Sequence, residues 1–271
     1  IYVHRYATDG DGTQARPWTG WDTSLNRLLS RSNQHIVFAP GYFTQASDLT
    51  VSQNRIHITG AGRHATFITY TGTGVAWTFQ FVTATTIVEG SWSGIALLAT
   101  DTVSTKIGLR LVDLSNYFFH DFCVGCSSSW RGNSSIALQT RGRELVSISM
   151  ALLHADIPIS IEPNPNFAPI SIDHFHFHDM YLLCGSSTAG SAVQILSNVY
   201  LTDVTFDGYQ AWVSCGNGLT WIDTQTTGIS VNLSLNNIRW EQTTNASGYF
   251  IDIRHNHALQ GFKLSNSFSG A

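Results

Sequence analysis

The chain has 271 residues, a formal net charge of −4 and only 12% charged residues, about half the ~25% share of an ordinary domain. It carries no tract of Lys and Arg of the kind a nucleic-acid backbone needs, and its apolar runs fall short of the ~18 residues that span a membrane. With 43% hydrophobic and 12% aromatic residues it has too much apolar surface to stay disordered.

In chain order, residues 1–35 read as an N-terminal loop and capping helix. The helix is WDTSLNRLLS (21–30), in which Trp21, Leu25, Leu28 and Leu29 share a face and Asp22 or Thr23 caps the first turn. Residues 36–271 read as coils of short strands. Cys123, Cys126, Cys184 and Cys215 lack the second CxxC pair of a zinc ribbon and are expected to be free thiols acting as small apolar residues. The chain begins at Ile1 and ends soon after a further repeat, so it reads as a fragment of a larger protein.

The coils come from an internal repeat. Strand-like segments with alternating apolar positions align on Trp92, Phe119, Ile148, Phe177, Phe206, Trp240 and Leu264, in steps of 27, 29, 29, 29, 34 and 24 residues. Polar pairs such as Ser115-Asn116, Asp173-His174, Thr202-Asp203 and Asn236-Asn237 mark corners, and a second alternating strand precedes each. No segment between them has the length or period of a crossover helix. Such a unit buries its apolar side only by stacking on its neighbours, strands ~4.8 Å apart. The expected fold is all-β: a single-stranded parallel β-helix with a short N-terminal capping helix.

The N-terminal third carries a resemblance. Asp9-Gly10-Asp11-Gly12-Thr13, the helix, IVFAPGYF (36–43), DLTV (48–51) and IHITGAGRHATFI (56–68) together resemble the pectate-lyase-type right-handed β-helix proteins, and among them the depolymerase domains of phage tailspikes. The match covers about residues 6–70. It implies a pectin-lyase-like solenoid, a polysaccharide substrate and a place outside the cell or on a virion surface. The segment QARPWTGW (14–21) replaces the family's Asp/Thr run, and the paired-Asp and Gly-His-Gly signatures of polygalacturonases are absent.

Stacking turns outward residues into columns. One reads Phe118, Ser147, His176, Thr205, Arg239, Lys263; the next reads Ser93, His120, Ser149, His178, Asp207, Glu241, Ser265. On this register Asp207 and Glu241 sit on adjacent coils, about 5 Å apart, near the ~5–5.5 Å of a retaining glycosidase pair. The expected catalytic residues are therefore Asp207, Glu241 and His178, with His176 and Arg239 binding substrate. If the sugar is a uronic acid, His176 or His178 becomes the base of a β-elimination and Arg239 neutralises the carboxylate.

Trp18, Trp21, Trp130, Tyr209 and Trp212 are read as loop or corner aromatics able to stack on sugar rings; Tyr209 and Trp212 are the substrate-binding candidates. A second carboxylate set joins Glu162, Asp223 and Asp252 to Arg110 and Arg254, and Glu162 is a further substrate-binding candidate. His174-x-His176-x-His178 suggests chelation, but no third ligand is evident, so neither metal nor cofactor is expected. The reading is thus a glycoside hydrolase or polysaccharide lyase. The rival reading is a non-catalytic glycan-binding or receptor-binding solenoid, or a structural homotrimer.

Overall fold

The computed structural model describes residues 2–3, 25, 29–80, 89–100, 106–126, 135–163, 170–185, 190–223, 229–242, 248–255 and 258–270. They form a parallel β-solenoid, as expected, and every strand pairing among them is parallel. The long strands Ile107–Val124, Ile136–Ala155 and Ile170–Cys184 turn corners and serve more than one sheet. No helix among the described residues is long and apolar enough to cross a membrane. The expected capping helix and the Asp9–Thr13 loop lie outside the described residues, apart from Leu25, Leu29 and Ser30; the two leucines are fully buried in the core.

Three stacked sheets enclose the core. The first takes 117–120, 146–149, 175–178 and their equivalents; its inward column runs Ile36, Ile58, Trp92, Phe119, Ile148, Phe177, Phe206, Leu235, Leu264. The rings of Phe177 and Phe206 lie nearly parallel at 4.4 Å. The second sheet's inward column includes Leu97, Val124, Leu153, Leu182, Trp212 and Trp240. The third includes Leu109, Leu138, Ile159, Val193 and Leu219. Each such side chain contributes roughly 1.5–3 kcal/mol by leaving water.

The register corrects one step of the repeat. Leu235, not Trp240, lies over Phe206, and Leu264 lies over Leu235, so the 29-residue period runs unbroken from Phe119 to Leu264. Trp240 belongs to the second sheet, over Trp212. The apparent steps of 34 and 24 came from choosing the larger of two inward residues on one coil.

The corners explain why the first sheet is so regular. On the six coils of this sheet from Phe119 to Leu264, a single left-handed residue precedes the strand: Asn116, Leu145, His174, Asp203, Asn232 and Gly261. Another follows it: Asp121, Met150, Asp179, Gly208, Asn237 and Asn266. All lie between φ 48° and 71°, where Asn, Asp and Gly sit most easily. Each column therefore repeats at 29 residues on both sides of the strand.

The cysteines are paired, which corrects the expectation of free thiols. Cys184 bonds Cys215 with Cα atoms 4.9 Å apart, Cys123 bonds Cys126, and no cysteine is free. Coil stacking brings Cys184 and Cys215, 31 positions apart, level with each other, a proximity that spacing along the chain does not announce.

Candidate functional site

The outer surface of the first sheet carries two polar columns. One runs His35, His57, Ser91, Phe118, Ser147, His176, Thr205, Ser234, Lys263; its neighbour runs Thr59, Ser93, His120, Ser149, His178, Asp207. Imidazoles repeatedly meet hydroxyls on the next coil, as in His57 Nδ1 to Ser91 Oγ (2.9 Å) and His120 Nδ1 to Ser149 Oγ (2.9 Å). At one level the hydroxyl is replaced by a carboxylate. Asp207 lies directly over His178.

Two imidazoles converge there on one oxygen. Asp207 Oδ1 is 2.8 Å from His176 Nε2 and 2.6 Å from His178 Nδ1. The pleat makes this possible: His176 and His178, two residues apart, share the outer face, and the strand above brings Asp207 within reach of both. The other nitrogen of His178, Nε2, is 3.1 Å from Asp179 Oδ2. Asp179 occupies the left-handed corner, and its Oδ1 accepts the backbone N–H of Tyr209 at 2.6 Å. Gly208 leaves the room this needs, since a Cβ there would stand 2.7 Å from His178 Cε1 and 2.4 Å from Asp179 Oδ1.

The electrostatics follow from the contacts. The hydrogen bond to Asp207 raises the pKa of His178 above its ordinary 6.5, against the lowering effect of burial and with help from the nearby charge of Asp179. Burial pushes the Asp207 carboxyl upward, but hydrogen bonds from His178 and His176 outweigh it and hold it below the ordinary 3.8. The cluster thus favours the ionised form of the carboxylate and the protonated form of the imidazole beside it.

Of the residues expected from sequence, His176, His178 and Asp207 come together. Glu241 and Arg239 do not join them. Both lie on Ile238–Glu241 in the second sheet, over Val213 and Ala211, and they pair with each other. Ser234 takes the column position assigned to Arg239, and the level next to Asp207 is that of Asn236, one residue beyond Leu235. Trp212 is fully buried between Leu182 and Trp240 and offers no face to a ligand. Tyr209 is exposed at the corner beside Gly208.

Glu162 lies on the third sheet's outer side inside a closed network. Its Oε1 accepts from Gln139 Nε2 (2.7 Å) and Ser160 Oγ (3.0 Å), and its Oε2 accepts from Arg141 Nη2 (2.9 Å). Arg110 donates to Gln139, and burial, with Arg141 nearby, lowers the pKa of its guanidinium. Asp252 pairs with Arg254 at 2.7 Å, and Asp223 is buried, so the second carboxylate set is not one site. Trp18, Trp21 and Trp130 lie outside the described residues. Sequence reasoning missed Asp179; its place immediately after His178 at a corner was the available signal.

No protein-family model matches the sequence, and no curated protein matches it. Among solved structures, the chain is similar to ORF18 of Geobacillus virus E2 at 15% identity and a TM-score of 0.41, covering 99% of this chain and 62% of that one. The mannuronan C-5 epimerase AlgE4 A-module of Azotobacter vinelandii is similar at 9% identity and 0.40, with all of both chains covered. The Dettilon tailspike protein gp208 is similar at 11% identity and 0.42, covering 96% and 68%. This chain therefore spans under two thirds of the viral ORF18 protein.

Proposed function

We propose that the protein acts on a polysaccharide laid across the outer surface of the first sheet, and that its chemistry is lyase-type proton transfer at a uronic acid unit. The observation that carries this reading is the sharing of Asp207 Oδ1 by His176 and His178. His176 donates Nε2–H to the carboxylate, which leaves its Nδ1 lone pair as a base oriented by Asp207, on a ring 46% exposed. That base removes the proton beside the sugar carboxylate. The C–H electrons form the C=C bond, and the glycosidic C–O bond breaks with its electron pair on the leaving oxygen, which takes a proton from solvent water. His178, whose protonated form is favoured between Asp179 and Asp207, in that form offsets the negative charge that develops. Exposed Tyr209 offers a stacking face at the corner.

A hydrolase built on Asp207 and Glu241 loses its support, because the two carboxylates stand in different sheets. Binding without cleavage is the second reading. The imidazole–hydroxyl ladder through His57, Ser91, His120 and Ser149 favours it, as a row of groups suited to sugar hydroxyls. Two disulfides are compatible with a place outside the cell or on a virion, which is part of the same proposal.

The test is incubation with a panel of uronic and neutral glycans, following ultraviolet absorbance of unsaturated ends together with reducing-end release. Both signals should rise on a uronic polymer and fall about 10²–10⁴-fold in His176→Ala, while Glu241→Gln keeps activity. Reducing ends without absorbance, or activity lost in Glu241→Gln and kept in His176→Ala, would reject the lyase reading. Binding with neither signal would establish the second one.

A further inference from the structure

We propose that His176, His178 and Asp207 form a binding site for a divalent transition metal of the zinc class. The sequence offers only two of the ligands, as an H-x-H pair; the third comes from the next coil and becomes visible once Asp207 stacks on His178. The three ligand atoms all lie within 4.8 Å of one another. A tetrahedral zinc with bonds of ~2.0–2.1 Å sets its ligand atoms roughly 3.3 Å apart. The observed 2.8 and 2.6 Å from Asp207 Oδ1 to the two nitrogens need open by only about 0.5–0.7 Å to reach that spacing, a small rotation for side chains 32–46% exposed.

A second observation points the same way. Both nitrogens of His178 face carboxylates, Nε2 towards Asp179 and Nδ1 towards Asp207. With Nε2–H donated to Asp179, the Nδ1 lone pair would confront Asp207 Oδ1 unless a positive centre stands between them. A proton fills that place in the free protein, and a metal ion fills it better when available. A ligating imidazole whose far N–H is held by a carboxylate is the outer arrangement that fixes the tautomer and raises ligand basicity. Here that carboxylate is itself fixed by the Tyr209 N–H and by the left-handed corner. Two imidazoles select zinc-like ions over calcium or magnesium.

Three protein ligands leave a fourth position toward solvent, open to water or a sugar oxygen. The neighbouring group Asp173, His174 and Asp203 is the internal control. It has one imidazole, and Asp203 Oδ1 already accepts from Asn232 Nδ2 at 2.6 Å. The metal proposal does not depend on the lyase reading. If that reading holds, however, zinc at His176 Nε2 leaves the proton on Nδ1, so the loaded protein has no base and zinc inhibits it.

The experiment is titration of the chelator-treated chain with Zn²⁺ by calorimetry, with no glycan present, and with Co²⁺ followed by its visible absorption. One ion per chain is expected, with a tetrahedral-type Co²⁺ spectrum. Asp207→Asn and His178→Ala should each weaken binding at least tenfold, and Asp179→Asn about 10–100-fold. His174→Ala should leave binding unchanged. Matching circular dichroism and melting curves check that each variant is folded. No binding at millimolar Zn²⁺, or binding that survives both Asp207→Asn and His178→Ala, overturns the proposal. Because no substrate enters the titration, its failure leaves the lyase reading standing, and a failed glycan assay leaves the metal site standing.

Discussion

Asp207 stacks directly over His178, with Oδ1 2.6 Å from Nδ1. In the metal-free protein this contact couples stability to pH from both sides. The pKa of His178 is raised, so its contribution is complete below 6.5 and fades as pH rises through the folded value. The pKa of Asp207 is lowered, so its contribution is complete above 3.8 and fades as pH falls below that. Asp207→Asn should therefore cost about 0.2–1 kcal/mol near pH 5.5 and less at pH 8.5. Thermal melts at the two pH values check this, and NMR titration should show the His178 midpoint falling toward 6.5 in the variant. A cost that grows between pH 5.5 and 8.5 contradicts the assignment.

Gly90 sits where the apolar pattern of the coils asks for a side chain, and the reason is Tyr117. A Cβ at position 90 would lie 2.3 Å from Tyr117 Cε2 and 2.5 Å from Ile56 O, while the Tyr117 hydroxyl donates to that same carbonyl at 3.0 Å. Gly90→Ala should destabilise by about 1–3 kcal/mol through overpacking. Tyr117→Leu should absorb part of that clash, so the double variant should be more stable than the sum of the single effects. Urea unfolding of the four proteins measures it.

Leu145 occupies a left-handed corner whose column otherwise holds Asn116, His174, Asp203, Asn232 and Gly261. It stands at φ 58° and is 48% exposed, so strain is incurred with only partial burial in return. Leu145→Asn should stabilise by about 0.5–1 kcal/mol, because Asn tolerates this conformation better. A rise in melting temperature is expected, and a fall would refute the account.

The Cys184–Cys215 bridge closes a 31-residue span, close to one full coil. Removing it as Cys184→Ala/Cys215→Ala should cost about 2–4 kcal/mol, and opening the three-residue Cys123–Cys126 link much less. Denaturant midpoints under oxidising and reducing conditions distinguish the two.

The solenoid and its polar columns were legible because one position, repeated every 29 residues, must satisfy one environment: Phe119, Phe177 and Phe206 inward, His178 and Asp207 outward. The error at Trp240 had a physical cause. Leu233-x-Leu235 and Ile238-x-Trp240 show the same alternation, and only the left-handed turn at Asn237 between them separates two sheets. Local pattern cannot weigh such a turn, so Glu241 and Arg239 travelled with Trp240 into the wrong column. Trp212 was misjudged for a related reason: its burial comes from Leu182 and Trp240 above and below, not from its own neighbours along the chain. The second carboxylate on His178 was hidden because Asp179 reaches it by a backbone corner rather than by pleat alternation.

The paired left-handed hinges have one further consequence. Since each winding from Phe119 to Leu264 begins and ends at equivalent hinges and pairs its strands only with the windings next to it, the architecture is additive over that stretch. Duplicating or excising one whole 29-residue unit between equivalent hinges preserves every remaining stack, whereas losing a single residue inside a unit would turn its inward side chains outward. Lengthening the molecule in whole units would move the His178–Asp207 level along the axis without rebuilding it, so the position of the reactive level and the length of the rod can vary independently.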